Sequence, residues 1–398
     1  MFGLTVLDNA GRQKDSGLDY KIISFDDHLD LSYLPADFWT RRMPSSLAER
    51  APRVEVRNGD TVWVCDEKVW GTWRGRLNEA PVPNPVPTPT VTALEVGGEH
   101  DLTQRRPAIP ALRLADMDRD GVWAHVIYGP IFSIVAEDPA LRDECHRVYN
   151  DSLGDLCAYA PGRLLGVPML PPFPEAAIAE LARLAKTGLW RQANLQIAEV
   201  EPRLHDPAWE PFWALLEETG MILSFHVAVI GLPKTDPAFG RPQSAFALAK
   251  LFPTQFLDPF IDLFAWGILE RYPKVRVVLA EAGLGWLPWL VQELDHRFEL
   301  LYRAKDYWDE RGGIDVKTKP SELFKRQIYA SFQDDPVAMS LLDFMGEDHV
   351  LWASDYPHPD STWPHSQAKI EAQMGHLPDT VKKKLLHDNA VKLYGLEL

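Results

Sequence analysis

Basic charge is scarce in this chain: 41 lysines and arginines stand against 57 aspartates and glutamates, for a formal net charge of -16. Nucleic acid is bound through clustered Lys and Arg, so this balance argues against a phosphate-backbone partner. Cysteine is scarcer still. Cys65, Cys145 and Cys157 are the three present; an odd number with no C-x-x-C spacing reads as free thiols in a reducing compartment. Long apolar runs are also missing. No stretch approaches the roughly 18 residues that a membrane span needs, and MFGLTVLDNAGRQKDSGLDY at the start has no basic segment leading into an apolar core. The expectation is a cytoplasmic protein with a small-molecule ligand and neither nucleic-acid nor membrane partners.

What the chain does have is apolar residues, 46% of 398, enough for a substantial core. They fall into short runs followed by helical patterns. Eight runs read as strands: KIISF (21–25), VWAHVIY (122–128), RLLGVPML (163–170), ANLQI (193–197), MILSFHV (221–227), VRVVLAEAG (275–283), QIYASF (327–332) and HVLWASD (349–355). Between them lie amphipathic segments such as PEAAIAELARLAKTG and AWEPFWALLEETG, with Gly188 and Gly220 placed as stops. Eight strands alternating with helices is the count of an α/β (β/α)8, or TIM, barrel, whose active-site loops gather at the C-terminal ends of the strands. A doubly wound open sheet is the rival fold.

Residues 31 to about 106 break the alternation. RVEVRNGDTVWVCDE reads as a hairpin about an NGD turn, and APVPNPVPTPTV is too rich in proline to be helical. Together they form an expected insertion after the first strand of a single barrel domain spanning 1–398. It would fold over the barrel mouth, onto a partner subunit or into solvent. The tryptophans of VWGTWRGR have two readings, a pocket lining with Arg74 or Arg76 facing a substrate carboxylate, or plain folding. The tail VKKKLLHDNAVKLYGLEL reads as a closing amphipathic helix whose lysines form a solvated face.

Chemistry concentrates at the strand ends. In IISFDDHLD, alternation puts Asp26 and His28 on one face and Asp27 on the other. His226 ends MILSFHV, Glu281 ends VRVVLAEAG and Asp355 ends HVLWASD. Buried ionisable groups are costly unless a metal or a hydrogen-bond partner compensates. Imidazole and carboxylate together suit zinc, manganese or iron(II). His358, three residues past Asp355, reads either as a group that binds or protonates substrate or as a satisfied loop histidine. His125 and His205 read as structural, the latter at a helix start capped by Asp206. Asp295 and His296 lie on a helix past the strand end.

DDH after the first strand, SFH on the fifth, AEAGLGWLP after the sixth and ASDYPH after the eighth resemble the amidohydrolase-2 family of metal-dependent barrels. That family includes the aminocarboxymuconate-semialdehyde and resorcylate decarboxylase types. The resemblance implies that Asp26, His28, His226 and Asp355 bind one divalent metal, zinc first, with manganese and iron the alternatives. It also implies an oligomer, homo-oligomeric first and hetero-oligomeric second, with the proline-rich insertion as a contact. The chain departs from the pattern on the sixth strand, where the resembled decarboxylases have histidine and this sequence has Glu281. An ionised Glu281 beside a metal already neutralised by Asp26 and Asp355 leaves one surplus negative charge. A proton on Glu281, a second cation or a cationic substrate group would balance it.

Hydrolysis of a small organic acid or amide through metal-activated water is the first expectation, with Glu281 as base and His358 as a second catalytic residue. Non-oxidative decarboxylation ranks below it because the sixth-strand histidine is absent. The alternatives are a non-haem, mono- or dimetal, oxygen-activating hydroxylase of the aminoisobutyrate-hydroxylase type, or a subunit of one, and a non-catalytic partner subunit.

Overall fold

The computed structural model describes residues 20–73, 105–130, 134, 136–227, 244–312, 316–358 and 360–397. Arg74, Arg76 and the proline-rich segment 80–91 lie outside the described residues.

All eight expected strands form. In chain order, with three strands of the insertion numbered among them, the barrel strands are β1 (Ile23–His28), β5 (Ala124–Tyr128), β6 (Leu164–Gly166), β7 (Gln192–Gln196), β8 (Ile222–His226), β9 (Val277–Ala280), β10 (Ile328–Phe332) and β11 (Val350–Trp352). Neighbouring strands pair in parallel in two runs, β1-β5-β6 and β11-β10-β9-β8-β7. Two seams close the runs into a barrel. Met169 bridges to Asn194 beyond β6, and at the other edge the Asp355 amide donates to Asp26 O at 2.9 Å and the His28 amide to Tyr356 O at 2.7 Å. The fold is therefore the (β/α)8 barrel, and the first and last strands meet at the residues singled out for chemistry.

Burial explains why these runs become strands. Ile23, Phe25, Val126, Tyr128, Val278, Ala280 and Leu351 form one buried cluster with Ala390, Leu393 and Tyr394 of the closing helix Asn389–Tyr394. Removing such groups from water, at roughly 25 cal/mol per Å², holds the interior closed. A larger cluster lies between the strands and their helices, with Trp209, Phe212, Leu181 and Phe260 among its members. The helices Pro174–Thr187 and Glu210–Thr219 end where expected, at Gly188 (φ 66°) and Gly220 (φ 69°), in the left-handed conformation that glycine adopts freely.

The insertion does contain the expected hairpin, β2 (Arg53–Arg57) and β3 (Asp60–Cys65), turning through Asn58 and Gly59 at positive φ. A third strand, β4 (Lys68–Thr72), extends it into an antiparallel sheet. Trp63 and Trp73 are buried and donate their indole N–H to Leu31 O and Leu34 O, at 2.7 and 2.8 Å, and Trp70 packs edge-on against Trp39. These tryptophans serve folding. Arg50 bridges Asp66 and Asp138, and Lys68 pairs with Glu137, which ties the sheet to the loop that follows β5.

Candidate metal centre

A β-bulge sets the direction of the first two candidate ligands. Opposite β5 the register of β1 slips between Ser24 and Asp27, so Phe25 and Asp26 both face the barrel interior. Without the slip, the alternation begun by Ile23 and Phe25 would aim Asp27 inward. With it, Asp26 and His28 point in, while Asp27 points out to Ser24 and Ser354.

The two imidazoles are oriented alike. His28 Nδ1 lies 3.0 Å from Gly129 O and His226 Nδ1 lies 2.6 Å from Val227 O. Donation to these carbonyls places the lone pair of each ring on Nε2. A Cβ at Gly129 would stand 2.2 Å from Met169 Sδ, so any larger residue there would displace the buried Met169 side chain. The two Nε2 atoms face each other at 3.2 Å. Asp26 Oδ1 lies 3.4 Å from His28 Nε2 and 3.3 Å from His226 Nε2, and Asp355 Oδ1 lies 3.4 Å from His28 Nε2. Glu281 Oε2 is 3.6 Å from His226 Nε2.

Ser331 links the strands, donating to Asp26 Oδ2 at 3.2 Å and accepting from the Glu281 amide at 3.0 Å. Glu281 and Asp355 have φ of 52° and 60°, a left-handed backbone that a residue with a Cβ adopts at a cost of about 1–3 kcal/mol and that concentrates at functional sites.

Burial raises the carboxyls of Glu281 and Asp355, Asp355 to about 7, each beside other acids. Burial acts in the same direction on Asp26, but His226 and His28 outweigh it and hold that carboxyl well below the carboxylate range. It also pushes the His28 imidazole down to about 4, with His358 adding repulsion. On His226, Asp26 overcomes burial and raises the imidazole. Acids and bases thus compete for protons in a buried space that holds too little positive charge.

A divalent cation fits this space. Asp26 Oδ1 and Asp355 Oδ2 are buried with no hydrogen-bond partner. Ligand atoms about 2.1 Å from an ion, at tetrahedral or octahedral angles, stand roughly 3–3.5 Å apart, which is the spacing found. Two nitrogens with carboxylate oxygens suit zinc, manganese or iron(II).

Asp26, His28, His226, Glu281, Asp355 and His358 are all brought together. His358 Nδ1 is 2.8 Å from Asp355 Oδ1, its ring stacks on His28, and its Nε2 is 2.9 Å from Asp30 Oδ2. The sequence does not mark Ser331 or Asp360 as part of the centre. Asp30 continues the alternation of Asp26 and His28, which is a legible signal; Asp360 has none beyond proximity to His358.

His125 and His205 lie away from the candidate ligands. His125 is buried as expected; its Nδ1 makes no hydrogen bond but lies 3.7 Å from Asp27 Oδ2. Asp206 caps its turn through the Ala208 amide, and His205 stacks on Trp266. Asp295 accepts from the Ser321 amide, and His296 is exposed.

A family model described as amidohydrolase matches residues 94–396. Gamma-resorcylate decarboxylase of Rhizobium radiobacter is 24% identical over 309 residues, covering 75% of this chain and 90% of its own length. The 2-amino-3-carboxymuconate-6-semialdehyde decarboxylase of Dictyostelium discoideum is 23% identical over 296 residues, 72% of this chain and 77% of its own. Among solved structures, an amidohydrolase from Mycobacterium avium subsp. paratuberculosis superimposes with a TM-score of 0.72 at 21% identity, over 95% of this chain and 100% of that one. A 5-carboxyvanillate decarboxylase from Novosphingobium aromaticivorans, complexed with manganese and 4-hydroxy-3-methoxy-5-nitrobenzoic acid, gives 0.64 at 19% identity over 97% and 98%. At these identities the structural matches speak for the fold.

Proposed function

The chain belongs to the amidohydrolase family, and from that premise we propose that it is a metal-dependent enzyme that removes CO2, without oxidation, from a small conjugated carboxylic acid. The observation that carries the reading is the convergence of two carbonyl-anchored imidazoles on buried carboxylate oxygens that accept no hydrogen bond. The two relatives named above are decarboxylases, and this moves decarboxylation ahead of hydrolysis. Manganese, present in the carboxyvanillate decarboxylase, replaces zinc as the first ion to test.

Asp26, His28, His226 and Asp355 would hold the cation, which supplies a Lewis acid that polarises a substrate oxygen. Loss of CO2 leaves an electron pair on carbon that takes up one proton. His358 is placed to hold that proton: burial opposes its charge, but Asp355 and Asp30 outweigh burial and keep the imidazole protonated well above its ordinary range. Asp355, 2.8 Å away, passes the proton toward carbon as the bond to the carboxyl group breaks. Ser331 steadies Asp26 from behind. Hydrolysis is the second reading, supported by Glu281 at the position where the resembled decarboxylases carry histidine; there Glu281 would take a proton from attacking water.

The test incubates manganese-loaded protein, without oxygen and in D2O, with gamma-resorcylate and 5-carboxyvanillate. The expected result is CO2 and a product carrying one deuterium, both lost on chelation and in Asp355→Asn. Turnover of amides or lactones with no CO2 release from either acid would move the assignment to hydrolysis. A strict need for oxygen and reductant would move it to a hydroxylase.

A further inference from the structure

The inner face of β7 carries a column of side-chain amides. Ala193 and Leu195 belong to the cluster between strands and helices, so alternation turns Gln192, Asn194 and Gln196 into the barrel. Barrel interiors are normally filled by branched apolar side chains, and each amide placed there needs partners. Gln192 donates to Tyr128 Oη at 2.5 Å and accepts from Tyr394 Oη at 3.0 Å, and Asn194 Oδ1 accepts from Ser224 Oγ at 3.2 Å. Gln196, at the C-terminal end of the strand, differs. Its Nε2 donates to Pro130 O at 2.6 Å, and this contact fixes which way the amide faces, because a carbonyl accepts from the nitrogen and not from the oxygen. Its Oε1 accepts no hydrogen bond from a described residue. The side chain is 5% exposed, and an acceptor so buried is costly to leave without a donor.

Register puts this acceptor beside the metal centre. Gln196 is paired with His226 across the β7–β8 ladder. Neighbouring strands lie about 4.8 Å apart, so the two side chains leave the barrel wall at one level and on the same face. That level is the end of the barrel at which substrate is met. An amide oxygen adds no charge to a centre already crowded with Asp26, Glu281 and Asp355; it attracts a hydrogen-bond donor and repels carboxylate or ether oxygen.

We propose that Gln196 is a substrate-binding residue whose Oε1 accepts a hydrogen bond from a hydroxyl or amino group beside the carboxyl group to be lost. The inference rests on the decarboxylase reading and adds a requirement to it. One substrate oxygen is taken by the cation in that reading, so the donor to Gln196 is a second group. Replacing that donor by an oxygen without hydrogen turns attraction into repulsion. A site built around a hydrogen bond rejects such an analogue more strongly than an apolar pocket rejects an extra methylene.

The experiment measures kcat/KM for CO2 release by manganese-loaded full-length protein, without oxygen. The acids are gamma-resorcylate, with a hydroxyl on each side of its carboxyl group, 2-amino-6-hydroxybenzoate and 2-hydroxy-6-methoxybenzoate, with 5-carboxyvanillate as a fourth. The better of the first two is expected to exceed the methoxy acid roughly 10- to 100-fold and thereby identifies the donor as hydroxyl or amine. Gln196→Met is expected to erase that preference, and Gln196→Leu serves in its place where Gln196→Met does not fold. Equal rates on the first three acids in the wild type, or a preference that the variants keep, would overturn the inference and leave decarboxylation standing. So would CO2 release from 5-carboxyvanillate alone, which has a single hydroxyl beside the carboxyl group it loses. No CO2 from any of the four acids would overturn the decarboxylase reading and this inference with it.

Discussion

Asp27 lies between two candidate ligands in sequence and faces the other way. Its Oδ1 accepts from the Ser24 hydroxyl at 2.9 Å, the Ser354 hydroxyl at 2.6 Å and the Tyr356 amide at 3.2 Å, fastening β1 to the end of β11. Burial raises its carboxyl above its ordinary value, against the pull of Arg113. A carboxamide has the same shape and keeps an acceptor oxygen where Oδ1 stands. Asp27→Asn is expected to cost under about 1 kcal/mol in urea unfolding, whereas Asp27→Ala strands three donors and costs about 2–4 kcal/mol. Asp120 offers a test by pH. Burial raises it from 3.8 to about 7, although the Ser366 amide and hydroxyl both donate to it. The folded state therefore keeps a proton that the unfolded chain gives up. The stability Asp120 contributes is complete below pH 3.8, declines as pH rises toward 7 and is gone above it, a span of a few kcal/mol. Asp120→Asn should flatten that part of the pH profile in thermal melts.

Strands and their ends differ in how far they can be read from sequence. The eight barrel strands are legible because each is a short run, seven of them buried on both faces, and helices such as Pro174–Thr187 and Glu210–Thr219 stop at glycines that supply a left-handed turn. The bulge at Phe25 and Asp26 is not legible. Two interior residues in succession look the same in sequence as ordinary alternation restarted one position later, and pairing with β5 decides between them. Lys68–Thr72 has too few alternating positions to be told from a turn, so β4 emerges only once β3 provides an edge. The left-handed ends of β9 and β11 are also hidden, because Glu281 and Asp355 are poor residues for that backbone and are held there by their surroundings. Strain of about 1–3 kcal/mol at Glu281 exceeds the roughly 0.5–1 kcal/mol of extra entropy that glycine loses on folding. Glu281→Gly should therefore stabilise the metal-free protein by about 1 kcal/mol in denaturant titration.

At the scale of the molecule, ions and fold support one another. The candidate ligands come from β1, β8 and the ends of β9 and β11, so anything bound among them favours the folded state by mass action, about 4 kcal/mol at a free concentration 1,000 times the dissociation constant. Chelation should lower the melting temperature by several degrees, and Asp26→Asn should melt alike with and without chelator. The closing seam has a further consequence for how the chain is made. Ser24 and Ser354, partners across it, are 330 residues apart. During synthesis Asp26 and His28 emerge long before Asp355, so the two sides of the centre cannot meet until β11 has been made. Completion of the centre thus follows the closing of the barrel, and a nascent chain halted before β11 would carry no finished centre.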